Sequence, residues 1–215
     1  MLNLKNISVA IQSVEILRGV NLDLPQGRMA GLIGRNGAGK TTLLRSVMGH
    51  LPLGEGTVTF DNTDLGSTAS HRRNNLGIGY MPEDRRLVPE LSVEENVLLP
   101  MWAVGNKNGA EKLRQIYAMI PEVHNFRDRK ALQLSGGQQK LVALARALMS
   151  GTKLLLLDEP FEGVAPALAQ RLAEVIAGLK REGLTVLISE SDLQHSAPLL
   201  DMVFRIDRGV VTQSS

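Results

Sequence analysis

The chain contains the glycine-rich segment Gly34-Arg35-Asn36-Gly37-Ala38-Gly39-Lys40-Thr41, followed by Thr42, with the spacing Gly-x-x-x-x-Gly-Lys-Ser/Thr. The apolar run before it predicts a strand, and apolar residues at helical spacing between Gly39 and Gly49 predict a helix after it. In such a loop successive backbone N–H groups converge on phosphate oxygens, and the helix start adds positive partial charge. We therefore expect a nucleoside triphosphate site, with Lys40 at the β and γ phosphates and Thr41 as a Mg²⁺ ligand. The alternative, a glycine-rich turn that happens to end in lysine, is disfavoured because the strand, the helix and the spacing occur together.

A second segment, Leu154-Leu155-Leu156-Leu157-Asp158-Glu159, ends a continuous apolar run with two acids. A strand of this kind is buried on both faces, as in parallel sheets, and open α/β sheets bind ligands at the carboxyl ends of their strands. We expect Asp158 to hold Mg²⁺ through water and Glu159 to polarise the water that attacks the γ phosphorus. The alternative is that two acids simply end a strand at the surface.

The rest of the chain alternates strand and helix patterns, which predicts an α/β fold. Short apolar runs up to residue 60 predict strands, and another strand is expected to end at Pro82. A helical stretch follows, with a capping box at Ser92 and a connector at 105–109. A third helix is expected to begin at Gln138 and to end at Gly151, and further α and β units follow it.

Leu134-Ser135-Gly136-Gly137-Gln138 has two interpretations. Ser135 and Gln138 have the spacing of a capping box, which would only start the third helix. Two consecutive glycines cost roughly 1 kcal/mol each in helical positions, and a cap does not need them, whereas close approach of an anion does. We therefore predict a second phosphate-binding helix start. The two predicted phosphate-binding sites can meet across a two-fold dimer, in which the glycine loop of each chain faces the Ser135 turn of its partner.

Composition excludes several classes of protein. The 215 residues contain 24 Lys and Arg against 22 Asp and Glu, so no polyanion-binding surface is implied. Aromatic residues make up only 3% of the chain, so few side chains could stack on nucleic-acid bases. We therefore expect no nucleic-acid partner. Cysteine is absent, which excludes disulfides, thiolate metal sites and cysteine nucleophiles. No leader pattern and no long apolar run occurs, so a soluble mature chain is expected.

With GRNGAGKTT, LSGGQQ and LLLLDEP in this order, essentially the whole chain resembles the ATP-binding-cassette (ABC) ATPases. The resemblance implies a P-loop NTPase fold, with a RecA-like α/β core, an antiparallel β region and a helical lobe. One domain is expected over residues 1–215, with 1–86 and 152–215 as the core and 87–151 as the lobe carrying Leu134 to Gln138. ATP and Mg²⁺ are the implied cofactors.

The resemblance also implies partners and a location. These are membrane permease subunits, a second ATPase subunit that is either identical or different, and, indirectly, a periplasmic or surface solute-binding protein. The chain would lie in the cytoplasm against the inner face of the cell membrane. Residues 80–96 and 162–166 resemble the subfamily of branched-chain amino-acid and related amide importers.

Several positions depart from the family pattern. Glu83 stands where a glutamine is usual, and its carboxylate can still accept from a Mg²⁺-bound water. Ala10 and Ile11 stand where an aromatic side chain usually stacks on adenine, and Ser191 takes the position of a histidine that senses the γ phosphate. The shorter hydroxyl of Ser191 predicts slower turnover, and the missing aromatic side chain predicts looser selectivity for the base. The favoured function is an importer ATPase for branched-chain amino acids or for urea-type amides. A soluble cassette acting on DNA or ribosomes is disfavoured, because such relatives carry long coiled coils, zinc cysteines or two tandem cassettes, and this sequence has none of them. A nucleotide-gated binding module with little hydrolysis is the remaining alternative.

Overall fold

Strands and helices alternate along the chain, in agreement with the α/β pattern. The computed structural model describes residues 1–105 and 109–214, so most of the expected connector at 105–109 lies outside the described residues. The strands in this part of the chain are β1 (Leu2–Ile11), β2 (Val14–Leu24), β3 (Met29–Ile33), β4 (Glu55–Phe60), β5 (Thr63–Asp64), β6 (Ile78–Met81), β7 (Leu154–Asp158), β8 (Thr185–Glu190), β9 (Met202–Asp207) and β10 (Val210–Ser214). The α-helices are α1 (Lys40–Val47), α2 (Ser70–Arg73), α3 (Val93–Ala103), α4 (Gly109–Met119), α5 (Pro121–Asn125), α6 (Gly136–Ser150) and α7 (Pro166–Arg181).

The strands form two sheets. The smaller sheet is antiparallel, in the order β2-β1-β4-β5. The larger sheet has the order β10-β9-β3-β8-β7-β6, in which β9, β3, β8, β7 and β6 are parallel and β10 is antiparallel. The carboxyl ends of β3, β8, β7 and β6 therefore share one edge of this sheet, where a ligand is expected.

The leucines of β7 supply both hydrophobic cores. Leu154 and Leu156 point into a core that includes the smaller sheet and α1. Leu155 and Leu157 point into the other core, which includes helices α3 to α7. All four side chains are fully buried, and burying one leucine contributes about 1.5–3 kcal/mol. The continuous apolar run is thus explained by a strand covered on both faces.

Helices α3 to α6 all lie between residues 93 and 150, within the expected lobe. Their apolar side chains share one core with those of β7 and β8. The assignment of 87–151 as a separate lobe stays a prediction. Within the described residues, none of the helices is long and apolar enough to cross a membrane.

The start of α6 differs from the prediction. The helix begins at Gly136, two residues before the expected Gln138, and ends at Ser150. Ser135 is the N-cap: its hydroxyl accepts from the Gln138 N–H at 3.3 Å, and the Gln138 side chain accepts from the Ser135 N–H at 3.0 Å. The prediction took Gln138 as the first helical residue, whereas the reciprocal cap between Ser135 and Gln138 includes both glycines in the first turn.

Arg73 also corrects an expectation, since the sequence 71–73 suggests a solvated cluster of charge. The Arg73 side chain is buried, and it donates to backbone carbonyls of two separate segments of the chain. It donates to the carbonyls of Ser46 and Val47 at 3.2 and 2.6 Å, and to those of Leu65 and Thr68 at 2.6 and 3.1 Å. The guanidinium therefore caps the carboxyl end of α1 and fixes it to the segment before α2.

Replacing Arg73 with methionine is expected to reduce the free energy of unfolding by about 2–3 kcal/mol, because buried carbonyls lose a charged donor. The matched control is Arg72→Met at the exposed neighbouring position, which is expected to change it by less than about 0.5 kcal/mol. Urea unfolding followed by circular dichroism measures both. Equal stability of the two variants would show that the Arg73 contacts contribute nothing.

Candidate nucleotide site

The glycine-rich loop joins the carboxyl end of β3 to the start of α1. Gly39 is the N-cap of α1 with φ +112°, a conformation that other residues rarely adopt. A Cβ at Gly34 would lie 2.2 Å from the Ile206 carbonyl oxygen, so only glycine fits against β9. The sequence therefore places glycine where the backbone must turn and where two strands approach closely.

A cleft of about 390 Å³ opens beside this loop. It is lined by residues of the loop and of α1 together with Ile16, Glu83, Glu159 and Glu162. Ile16 was missed by sequence reasoning, because its place depends on how β2 packs beside the loop. Ala10 and Ile11 do not line this cleft, and Ile11 is exposed.

Lys40 lies between the loop and Glu159, the residue that follows β7. Its Nζ donates to the carbonyl oxygens of Gly34 and Arg35 at 2.5 and 3.1 Å, and it lies 2.9 Å from Glu159 Oε1. Both side chains of this ion pair are only 5% exposed. A triphosphate in the loop would compete with these oxygens for the same ammonium group.

Asp158 is the best satisfied carboxylate in the site. It accepts from the hydroxyls of Thr41 at 3.1 Å, Ser189 at 2.7 Å and Tyr80 at 3.1 Å. Burial raises the pKa of Asp158, while the three hydroxyl donors act in the opposite direction. The sequence predicted Thr41 and Asp158 as parts of one Mg²⁺ site but no direct contact between them, and Ser189 and Tyr80 were missed. Tyr80 lies near the carboxyl end of β6 and Ser189 near that of β8, the two strands that flank β7. Their contact with Asp158 could be predicted only if the order of the strands in the sheet were known.

Glu159 has a backbone φ of +48°, the left-handed region that side chains other than glycine seldom occupy. Its carboxylate faces Lys40 and Ser191. The Ser191 hydroxyl lies 3.3 Å from Glu159 Oε1 and 2.8 Å from Asn36 Oδ1. The structure thus brings together the glycine loop, the proposed water-polarising acid and the residue at the sensor position.

The residues proposed for Mg²⁺ fit a hard cation that keeps several waters. Thr41 and Asp158 are in contact, and Glu83 lines the same cleft. The pKa of Glu83 is raised by burial and by the carboxylates of Glu162, Asp158 and Glu159, so added positive charge would relieve this repulsion. No compact group of three or more histidine or acidic side chains suited to a metal occurs in the described residues. The site therefore fits a cation bound jointly with phosphate oxygens.

The segment Leu134 to Gln138 lies outside this cleft. Leu134 is buried, whereas Ser135 and Gly136 are exposed. A Cβ at Gly137 would lie 2.6 Å from Leu168 Cδ2, which gives this glycine a packing reason within the same chain. The described contacts support the capping interpretation, and anion binding by this turn stays a prediction for the dimer.

A larger cleft of about 1070 Å³ lies at the opposite edge of the sheet, between α4 and α7. Its lining includes Thr185 at the amino end of β8 and charged side chains of both signs. None of the predicted site residues lines it. We assign the nucleotide to the smaller cleft because the glycine loop and Glu159 line it and Asp158 contacts its lining residue Thr41.

Comparison with known proteins agrees with this geometry. Residues 17–162 match the family model described as ABC transporter. The chain is 32% identical over 209 residues to the high-affinity branched-chain amino acid transport ATP-binding protein BraG of Pseudomonas aeruginosa, covering 97% of this chain and 90% of the relative. It is 31% identical over 210 residues to the lipopolysaccharide export system ATP-binding protein LptB of Escherichia coli K12, covering 97% and 87%.

Solved structures agree as well. A nucleotide-free ATP-binding cassette from an ABC transporter has a TM-score of 0.87 at 30% identity, covering 100% of this chain and 90% of that chain. The dimeric bacterial ABC transporter cassette MJ0796 has a TM-score of 0.89 at 27% identity, covering 100% and 98%.

Glu190, at the end of β8, is a buried carboxyl group behind the site. It is 7% exposed, and its Oε1 accepts from the Phe161 N–H at 3.3 Å. Burial and the nearby Glu159 carboxylate raise the pKa of Glu190 from 4.5 to about 8. The folded protein therefore holds a proton at neutral pH that the unfolded chain releases.

This difference predicts that the free energy of unfolding falls as the pH rises from about 4.5 to about 8. Glu190→Gln mimics the protonated form of the side chain, so its free energy of unfolding should not fall in this way. We expect the variant to be more stable than the wild type by an amount that grows with pH and exceeds about 1 kcal/mol near pH 8. Urea unfolding at several pH values measures the effect. The control is Glu182→Gln, at an exposed position. Parallel pH curves for Glu190→Gln and wild type would contradict the prediction.

Proposed function

Because this chain belongs to the ABC transporter family, as an ATP-hydrolysing subunit, we propose that it powers solute import, with branched-chain amino acids as the first solute class to test. Two observations support this proposal: the resemblance of segments 80–96 and 162–166 to that importer subfamily, and the similarity to BraG. Urea-type amides are the alternative within the same subfamily. The comparable similarity to LptB makes lipopolysaccharide export a second candidate.

The proposed mechanism of hydrolysis rests on one observation: the Glu159 carboxylate lies 2.9 Å from Lys40 Nζ at the mouth of the glycine loop. The loop N–H groups and Lys40 would bind the β and γ phosphates of ATP. Glu159 would then accept the proton of the attacking water, and Ser191 would donate a hydrogen bond to the γ phosphate. A hydroxyl is shorter than the usual imidazole, so slow turnover is expected.

Thr41 and Asp158, with Glu83 through water, would hold Mg²⁺ in this cleft. When bound, the cation neutralises the charge on the β and γ oxygens. The protein's own contribution is the fixed orientation of Asp158 by Thr41, Ser189 and Tyr80.

Cassettes of this family dimerise, and MJ0796 is one that has been solved as a dimer. We propose that the exposed turn at Ser135 and Gly136 contacts the nucleotide held by the glycine loop of a second ATPase subunit. The start of α6 would supply the N–H groups and the helix dipole. Whether the second subunit is identical or different stays open.

A further cleft, separate from the two described above and also about 390 Å³ in volume, supports a contact with a permease subunit on the inner face of the membrane. It lies between the end of α1 and α6, and its basic lining residues are His50, His71, Arg86 and Arg146. Apolar lining comes from Met48 and from two prolines, and among the described residues no acid lines the cleft. An amphipathic cytoplasmic helix with acidic residues would complement it in both charge and polarity.

Arg86→Glu is expected to reduce the amount of permease that co-purifies with this chain by at least about fivefold, because it reverses charge at this cleft. Arg114→Glu, on the exposed face of α4, is the matched control and is expected to leave recovery unchanged. The measurement is quantitative immunoblotting of detergent-solubilised membranes. Equal recovery with Arg86→Glu and Arg114→Glu would place the contact elsewhere.

The solute can be identified with the co-purified complex in liposomes together with its solute-binding protein. Stimulation of ATP hydrolysis by leucine or isoleucine supports amino-acid import, whereas stimulation by urea or amides selects the related class. Stimulation by lipopolysaccharide alone would overturn the importer proposal in favour of export.

Glu159→Gln is expected to lower the rate of phosphate release by about 100-fold or more, since the group that accepts the water proton is lost. ATP affinity should stay within about threefold, and ATP-dependent association of subunits should last longer, because the ground-state contacts remain. Phosphate release and size-exclusion chromatography with ATP measure these effects. Glu174→Gln on exposed α7 surface is the control. Equal, near-zero rates in wild type and Glu159→Gln would instead favour a nucleotide-gated binding module.

A further inference from the structure

Lys140 is a buried cation that the nucleotide cleft does not use. It lies in the second turn of α6 and is 6% exposed. Its Nζ donates to three backbone carbonyl oxygens, those of Glu159 at 2.9 Å, Pro160 at 3.2 Å and Glu162 at 2.5 Å. An ammonium group has three N–H donors, so these carbonyls use its full capacity.

The segment that Lys140 binds begins at the strained residue of the site. Glu159 has φ +48°, and a residue in this region needs surrounding contacts to hold it there. The carbonyls of Glu159, Pro160 and Glu162 converge on one point because the chain turns at this residue. Lys140 is thus one of the contacts that stabilise the turn and thereby the direction of the Glu159 side chain. The Glu159 N–H, which donates to the Ser189 carbonyl at 3.1 Å, and the Phe161 N–H, which donates to Glu190 at 3.3 Å, hold the same turn from the side of β8.

The same helix also contacts the segment that carries Glu83. Arg146, further along α6, donates to the carbonyls of Arg85 and Arg86. The first turn of α6 follows Ser135, the residue proposed to meet the partner's nucleotide. One rigid helix therefore joins the Ser135 turn, the Glu159 turn and the segment after β6.

We propose that Lys140 is a positioning residue for ATP hydrolysis, holding Glu159 in its reactive orientation and linking that orientation to the position of α6. This inference rests on the proposed ATPase function. It requires that loss of the ammonium affects turnover and not ATP binding, because the glycine loop and Lys40 make no described contact with Lys140.

The test compares Lys140→Met and Lys140→Arg with the control Lys153→Met. Lys153 is a half-exposed lysine paired with Asp61 on the surface, so the control removes the same charge away from the site. Steady-state ATPase assays give kcat and KM, binding of a fluorescent ATP analogue gives Kd, and urea unfolding gives stability.

We expect Lys140→Met to lower kcat at least tenfold with Kd within about twofold, and Lys140→Arg to restore most of the activity because it keeps charged donors. Lys140→Met should also prolong ATP-dependent association, as Glu159→Gln does, which damage to the fold would not. If Lys140→Met does not fold, Lys140→Gln, which keeps two donors without the charge, is measured in the same way. We expect it too to lower kcat while leaving the Kd for ATP unchanged.

Two results would overturn the inference while leaving the proposed function intact. One is a kcat of Lys140→Met within twofold of the wild-type value. The other is a loss of activity in both Lys140→Met and Lys140→Arg that is matched by an equal loss of ATP affinity. A wild-type chain without measurable ATPase activity would overturn the proposed function itself, and with it the inference.

Discussion

The parallel pairing of β3, β8 and β7 determines the distances in the nucleotide cleft. Ile33 pairs with Glu190, and Asp158 pairs with Ser189, so the carboxyl ends of the three strands are level. The glycine loop leaves β3 at this level, and the two acids leave β7 two strands away. Side chains far apart in sequence can therefore touch without long loops, and a slip of one residue in this register would separate them.

Much of this arrangement could be predicted from sequence. The apolar run before Asp158, the loop ending in Lys40 and the capping box at Ser92 each have a local physical cause, and the structure contains all three elements. The similarity to ABC cassettes agrees with the predicted fold class. The roles of individual side chains in chemistry stay predictions.

The missed contacts have a common cause, because they depend on packing between distant segments. Tyr80 and Ser189 contact Asp158 only because β6 and β8 flank β7. Arg73 looks like part of an exposed basic cluster until α1 is placed beside it. The predicted start of α6 at Gln138 was wrong for a local reason, because the reciprocal cap at Ser135 includes Gly136 and Gly137 in the helix.

The three hydroxyls on Asp158 have a consequence for how the cleft can respond to charge. Each O–H of Thr41, Ser189 and Tyr80 can rotate about a single bond, so the hydrogen positions around this carboxylate are adjustable while the heavy atoms stay fixed. When charge arrives or leaves, the polar groups can reorient by turning hydrogens alone. The backbone of β7, which is buried between two cores, need not move when the charge in the cleft changes.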